Sequence, residues 1–126
     1  MKLRKVTKDD CWDLLRWENV PVTQKYTFNS KTISRKEHLK WFKKALKEIE
    51  MYIIGDKIGL VKIKNNSVAI IIDPAYRNQG YGIEALNLIK KKHPKLIAYV
   101  LFGNTNSYKL FKKAGFKKIG YILKNG

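Results

Sequence analysis

Ile70-Ile71-Ile72-Asp73-Pro74-Ala75-Tyr76-Arg77-Asn78-Gln79-Gly80-Tyr81-Gly82-Ile83-Glu84-Ala85-Leu86 is the stretch that decides how this chain reads. The isoleucines read as the end of a central strand, and Pro74 breaks it because proline cannot donate to a ladder. Arg77-x-x-Gly80-x-Gly82 then opens a helix with Ile83, Leu86 and Ile89 on one face. Glycines there let backbone N–H groups converge, and a helix N-terminus adds partial positive charge, so the segment suits a pyrophosphate. A P-loop would need Gly-Lys-Ser/Thr, yet Ile83 follows Gly82. A dinucleotide fingerprint would need a tight strand-to-helix turn and a later ribose-binding acid. Six residues separate Asp73 from Gly80, and no acid follows Glu84. A glycine-rich turn that binds nothing is the plain structural alternative.

Working outward, Ile58–Lys64 and Ser67–Asp73 read as strands joined by Asn65-Asn66, and Met51–Ile54 as a strand joined through Gly55-Asp56. Both pairs tolerate the positive φ of hairpin turns. Upstream, Ser34 and Glu37 form a capping box, and Leu39, Phe42, Leu46 and Ile49 give a helical stripe. Asn19 to Ser30 reads as an ordered loop. Asp9 and Asp10 offer N-caps for a helix with Cys11, Leu14 and Leu15 on one face, after a short strand in Met1–Thr7. Downstream, Lys90 to Lys92 suit a helix C-terminus, Leu96–Leu101 reads as a strand, and Asn104 or Thr105 caps a helix closing at Gly115. Phe116–Leu123 is expected to form a final strand. The order is β-α-α-β-β-β-α-β-α-β, an α+β domain over residues 1–126.

Composition sets limits on this reading. The 126 residues carry 27 Lys or Arg against 10 Asp or Glu, a formal charge of +17. A hydrophobic fraction of 44% with 7 Tyr, 5 Phe and 3 Trp excludes disorder as the main state. The charge suggests an anionic partner, and the ten lysines of residues 85–126 face no acid in that third. Only four of the 27 cations are Arg, whereas base readers favour Arg, and a Lys-, Ile- and Asn-rich chain is equally explained by a biased genome. Cys11 is the sole cysteine, so no intrachain disulfide is expected. Met1 to Trp12 lacks the apolar run of a signal peptide, and Val68–Ile72 is too short to span a bilayer. A cytoplasmic protein without membrane contact is expected.

The segment Arg77-x-x-Gly80-x-Gly82 resembles the coenzyme A pyrophosphate loop of the GNAT superfamily of N-acetyltransferases. Asn104-x-x-Ser107-x-x-Leu110-Phe111-x-Lys113-x-Gly115-Phe116 resembles the second motif of the same superfamily. Two motifs in this order, separated by one helix and one strand, are more specific than either alone. The resemblance implies a GNAT fold: a mixed, mostly antiparallel central sheet, splayed between its fourth and fifth strands and flanked by about four helices. The family's C-terminal strand hairpin would be truncated, since residues after Phe116 leave room for one strand. It further implies acetyl-CoA as cosubstrate without a metal. Backbone groups around Ile71, Ile72 and Asp73 would bind the pantetheine arm. Arg77, Asn78, Gln79, Gly80, Tyr81, Gly82 and Ile83 would hold the pyrophosphate, and Asn104, Ser107 and Phe111 would line the other side. Catalysis would be mainly positioning, with the acceptor amine held beside the thioester.

Phe111 stands where many members carry the tyrosine that protonates the leaving thiolate, so Tyr108, one turn earlier, is the candidate acid. His38, on the second helix beside Glu37 and near where acceptors enter in this fold, is the candidate base by its pKa range, with a water chain as the alternative. The stretch Phe28 to Phe42, with Trp17-Glu18-Asn19-Val20-Pro21, looks like acetyltransferases acting on UDP-linked 4-amino sugars in pseudaminic acid biosynthesis. That likeness implies a small anionic amine acceptor bound near Trp17, Asn29, Ser30 and Trp41. A ribosomal-protein or peptide N-terminal acetyltransferase, and a non-catalytic module binding CoA or nucleic acid, are the alternatives. Nucleic acid is not the expected partner, and a homodimer is compatible with the reading.

Overall fold

A computed structural model describes residues 1–21 and 32–126. Four strands, β1 (Leu3–Lys5), β2 (Glu50–Ile54), β3 (Gly59–Lys64) and β4 (Ser67–Ile72), form an antiparallel sheet in the order β1-β2-β3-β4. Its described helices are α1 (Cys11–Glu18), α2 (Arg35–Glu48), α3 (Tyr81–Lys92) and α4 (Thr105–Lys113). The β3–β4 hairpin turns on Asn65 and Asn66, both at positive φ (51° and 63°), as the sequence pattern requires. The β2–β3 turn is longer, with Gly55 and Lys57 at positive φ, so β3 begins at Gly59 rather than Ile58.

Period-two alternation divides the sheet into two apolar faces. Tyr52, Ile54, Val61, Ile63 and Val68 pack against Ala85, Leu86 and Ile89 of α3 and Phe111 of α4. Met51, Ile53, Leu60 and Ile71 pack against Cys11, Leu14 and Trp17 of α1 and Phe42 and Ala45 of α2. Both N-terminal helices are rotated from the sequence expectation. In α1 Trp17, not Leu15, completes the fully buried stripe, and in α2 His38, Phe42 and Ala45 are buried while Leu39 and Leu46 are exposed. In α2 the inward stripe runs His38, Phe42, Ala45 (i, i+4, i+7), sharing only Phe42 with the expected one, because the sheet beneath sets which side of the helix is covered. Asp10 does not cap α1. Its carboxylate accepts both guanidinium nitrogens of Arg4 at 2.8 Å and the Thr7 N–H at 2.8 Å.

Two expected strands are not present. Leu96–Leu101 joins the sheet only at one parallel bridge, Ser67 to Ile97, with Val68 N–H donating to Ile97 O (2.9 Å) and Ile97 N–H to Asn66 O (2.8 Å). Beyond it the chain leaves β4, although Leu96, Ala98 and Val100 still pack inward and Ile97 and Tyr99 stay exposed. Phe116–Leu123 pairs with nothing among the described residues. Ile119, Tyr121, Ile122 and Leu123 are more than half exposed, because a strand there lacks a ladder to join.

Candidate active site

The divergence after Ile97 leaves one edge of β4 open. Ladder parity identifies the groups on it. Val68 donates away from β3, so by alternation do Ile70 and Ile72, whose partners across the hairpin are Val61 and Gly59. Ile71, opposite Leu60, and Asp73, whose N–H reaches Ile58 O at 2.8 Å, face β3 instead. The edge groups expected around Ile71 to Asp73 are thus those of Ile70 and Ile72. Ile72 O is taken by Arg77 Nε at 3.0 Å, which leaves the Ile70 N–H and C=O and the Ile72 N–H facing the gap. Gly59 permits this geometry, because a Cβ there would lie 2.2 Å from Ile71 O.

The loop after β4 is pinned at its base and open at its tip. Asp73 Oδ1 accepts the Ala75 N–H at 2.9 Å and caps a short turn, Pro74–Tyr76. Arg77 makes no ion pair among the described residues, and Asn78 sits at φ 61°. Gly80, the N-cap of α3, is left-handed at φ 84°, with open space where a side chain would stand. No side chain caps α3, so the first-turn N–H groups over Tyr81, Gly82 and Ile83 point outward without an intrahelical acceptor. The set of an open strand edge, orphan N–H groups, a glycine cradle and a guanidinium held by Ile72 O but without a carboxylate partner fits the linear, phosphorylated acyl carrier that the sequence implies. Gly82 also serves packing, since an added Cβ would meet the Leu110 methyls at 3.0 and 3.1 Å.

Other candidates are placed as follows. Asn104 caps α4, its Oδ1 accepting the Ser107 N–H at 3.2 Å. Phe111 is buried in the α3–α4 core edge-on to Phe116, with 5.1 Å between centroids, and is turned away from solvent. Tyr108 is 40% exposed, and its hydroxyl makes no hydrogen bond among the described residues. His38 is buried among Trp12, Trp41 and Phe42, and burial lowers its pKa. Its Nε2–H donates to Cys11 O at 2.7 Å, so that nitrogen is not a free base. Trp17 is fully buried, its Nε1–H donating to Asp73 Oδ2 at 2.9 Å, and so it faces no open pocket. Asn29 and Ser30 lie outside the described residues.

Trp41 lines a cavity of about 270 Å³ with Ile49, Lys62, Lys64, Ser67 and Ala69, next to the closed end of the β4 gap. Lys62 there is ion-paired with Glu18 and stands 5.7 Å from the Trp41 ring centroid. Sequence reading missed Glu18 and Lys62, and the signal available was that Lys62 alternates with Leu60 toward the α1–α2 face. A second cavity of about 420 Å³ runs along Lys5, Val6 and Leu46 to Tyr52 and shares Ile49 with the first. Among the described residues no group of three or more acidic, His or Cys side chains is arranged to hold a metal. No described helix is long and apolar enough to cross a membrane.

This architecture is shared with solved structures. A domain from Methanocaldococcus jannaschii superposes with a TM-score of 0.80 at 22% identity, over 94% of this chain and 88% of that one. Spermidine N-acetyltransferase from Vibrio cholerae, solved with CoA and spermine, gives 0.81 at 19% identity, over 98% and 85%. Ribosomal-protein-alanine N-acetyltransferase from Brucella melitensis gives 0.77 at 20%, over 95% and 86%. At these identities the likeness shows the fold. No curated protein sequence matches the chain. The family model described as acetyltransferase (GNAT) domain matches residues 1–117, nearly the whole length. With the splayed fourth strand and the uncapped glycine-opened helix in place, the chain belongs to the GNAT family of acetyltransferases.

Proposed function

We propose that the chain, as one domain over residues 1–126, transfers an acetyl group from acetyl-CoA to a primary amine of a small anionic acceptor. The observation that carries the donor half is the junction of the open β4 edge with the uncapped N-terminus of α3. Acetyl-CoA supplies an activated acyl thioester. Arg77, Asn78, Gln79 and the N–H groups from Gly80 to Ile83 hold the pyrophosphate, and the Ile70 and Ile72 edge groups bind the amides of the arm as an added strand would. The Ile70 N–H is available to the thioester carbonyl oxygen as charge develops there. The acceptor nitrogen forms a bond to the carbonyl carbon while the C–S bond breaks. Tyr108 gives its proton to the departing sulfur, and the ammonium proton of the acceptor leaves to solvent, since His38 is buried.

The acceptor half rests on the cavity lined by Trp41, Lys62 and Lys64 beside the β4 gap, where Lys62 is matched by Glu18 and Lys64 is the cation that attracts an anion. A nucleotide-linked amino sugar meets that description, and its N-terminal sequence likeness supports the same class. The single buried cysteine suits a reducing, cytoplasmic setting. Thiol release is the test. Full-length protein with acetyl-CoA is offered UDP-linked 4-amino sugars, spermidine, an aminoglycoside and an alanine-terminal peptide. Turnover with the amino sugar above the others is expected. Turnover with spermidine or the peptide alone replaces the acceptor class, and thiol release with none of them rejects the activity.

A further inference from the structure

Asp73 is the residue whose placement the sequence reading did not anticipate. It ends β4, yet its carboxylate is turned away from the gap and buried. Oδ2 accepts the Trp17 indole N–H at 2.9 Å and Arg16 Nη1 at 2.7 Å, both from α1. Oδ1 accepts the Ala75 N–H at 2.9 Å, and the Asp73 carbonyl accepts the Tyr76 N–H at 2.8 Å. One side chain thereby joins a helix 56 residues upstream to the turn that presents Arg77 and Gly80.

The anchor is itself fixed. Trp17 is fully buried against the sheet, so its indole has no freedom to follow a moving loop. Arg16 also bonds Asp13 Oδ1 at 3.4 Å, and Asp13 meets Lys57 of the β2–β3 turn at 3.2 Å. Hydrogen bonds from Trp17, Ala75 and Arg16 hold the Asp73 carboxyl down to about 2, so it is ionised at neutral pH with Arg16 as its counter-ion. A negative charge beside a phosphate site is tolerable only when neutralised in this way.

We propose that Asp73 is a positioning residue for the acetyl donor: its bridge from Trp17 and Arg16 to the Pro74–Tyr76 turn sets the loop in its phosphate-binding shape, so that the α1 layer controls donor affinity. This rests on the donor reading above, in which the loop holds a pyrophosphate. The bridge acts on binding and not on the chemical step, because none of its three members faces the gap.

The test compares the full chain with Asp73→Asn, Trp17→Phe and Arg16→Gln, reading acetyl-CoA affinity by calorimetry, KM and kcat by thiol release, and thermal midpoint. Losing a charged hydrogen bond at the hub is expected to weaken acetyl-CoA about tenfold in Asp73→Asn, with kcat within about threefold. Trp17→Phe keeps an aromatic ring in the core, at the cost of some volume, and loses the indole donor, so a weakening of roughly threefold is expected at an assay temperature where it stays folded. Asp73→Glu, which keeps the charge, is expected to restore part of the affinity. Lower thermal midpoints with unchanged donor affinity in all three variants would overturn the proposal and leave the donor reading intact. A fall in kcat at constant KM would overturn it as well. Failure of the unsubstituted chain to bind acetyl-CoA would remove both.

Discussion

The two faces of the sheet hold their helices by different means. Around α1 the cations are matched to carboxylates, Arg4 to Asp10, Arg16 to Asp13 and Asp73, Lys57 to Asp13, Lys62 to Glu18, whereas the lysines of α2 make no ion pair among the described residues. Under α3 and α4 apolar packing dominates, and lysines meet carbonyls or rings instead. Lys90 bonds Ala114 O, while Lys92 lies over Tyr52 and Lys112 over Tyr108. All ten acids precede residue 85, and the two carboxylates on this side, Glu50 and Glu84, meet His93 and the N-terminal ammonium and not the lysines. The difference teaches that α1 is tied to the sheet and its turns by charge, which suits it to anchor the loop through Asp73. The second face carries the lysines of residues 85–126, which make no ion pair among the described residues and raise the positive field around α3 and α4.

The largest way to break this contrast is to strike the apolar face. Leu86→Ala removes a fully buried side chain between α3 and the sheet and is expected to cost about 3 kcal/mol in chemical denaturation. Next comes acid. The Asp73 pKa is depressed from 3.8 to about 2, so its stabilising contribution is complete above pH 3.8 and is lost as pH falls toward 2. That contribution amounts to about 2 kcal/mol, and Asp73→Asn should flatten the stability profile across this window. Salt reads the other face: raising it from about 50 to about 500 mM should weaken acetyl-CoA binding severalfold. Smallest of all, deleting residues 119–126 should change stability by less than about 0.5 kcal/mol, since their apolar side chains are exposed already.

Local chemistry made the hairpins and the loop legible. Asn65-Asn66 admits positive φ wherever it stands, and Gly80 at the start of α3 takes the left-handed conformation that glycine was expected to supply. Long-range choices were not legible. Which residues of α2 face inward depends on the sheet beneath, and the Leu39–Leu46 stripe lost to His38 and Ala45. A strand needs a neighbour, so β-rich composition over Leu96–Leu101 and Phe116–Leu123 did not suffice to make one. The bond between Trp17 and Asp73 joins positions 56 apart, and no local pattern announces it.

The central claim is that the β4 edge and the Arg77–Gly82 loop bind the acetyl donor. Calorimetric titration of acetyl-CoA into the unsubstituted chain and into Arg77→Glu tests it most directly. The account predicts saturable binding at one site per chain, weakened at least about tenfold by the charge reversal. Equal affinity in the two proteins, or no saturable binding to either, would contradict it.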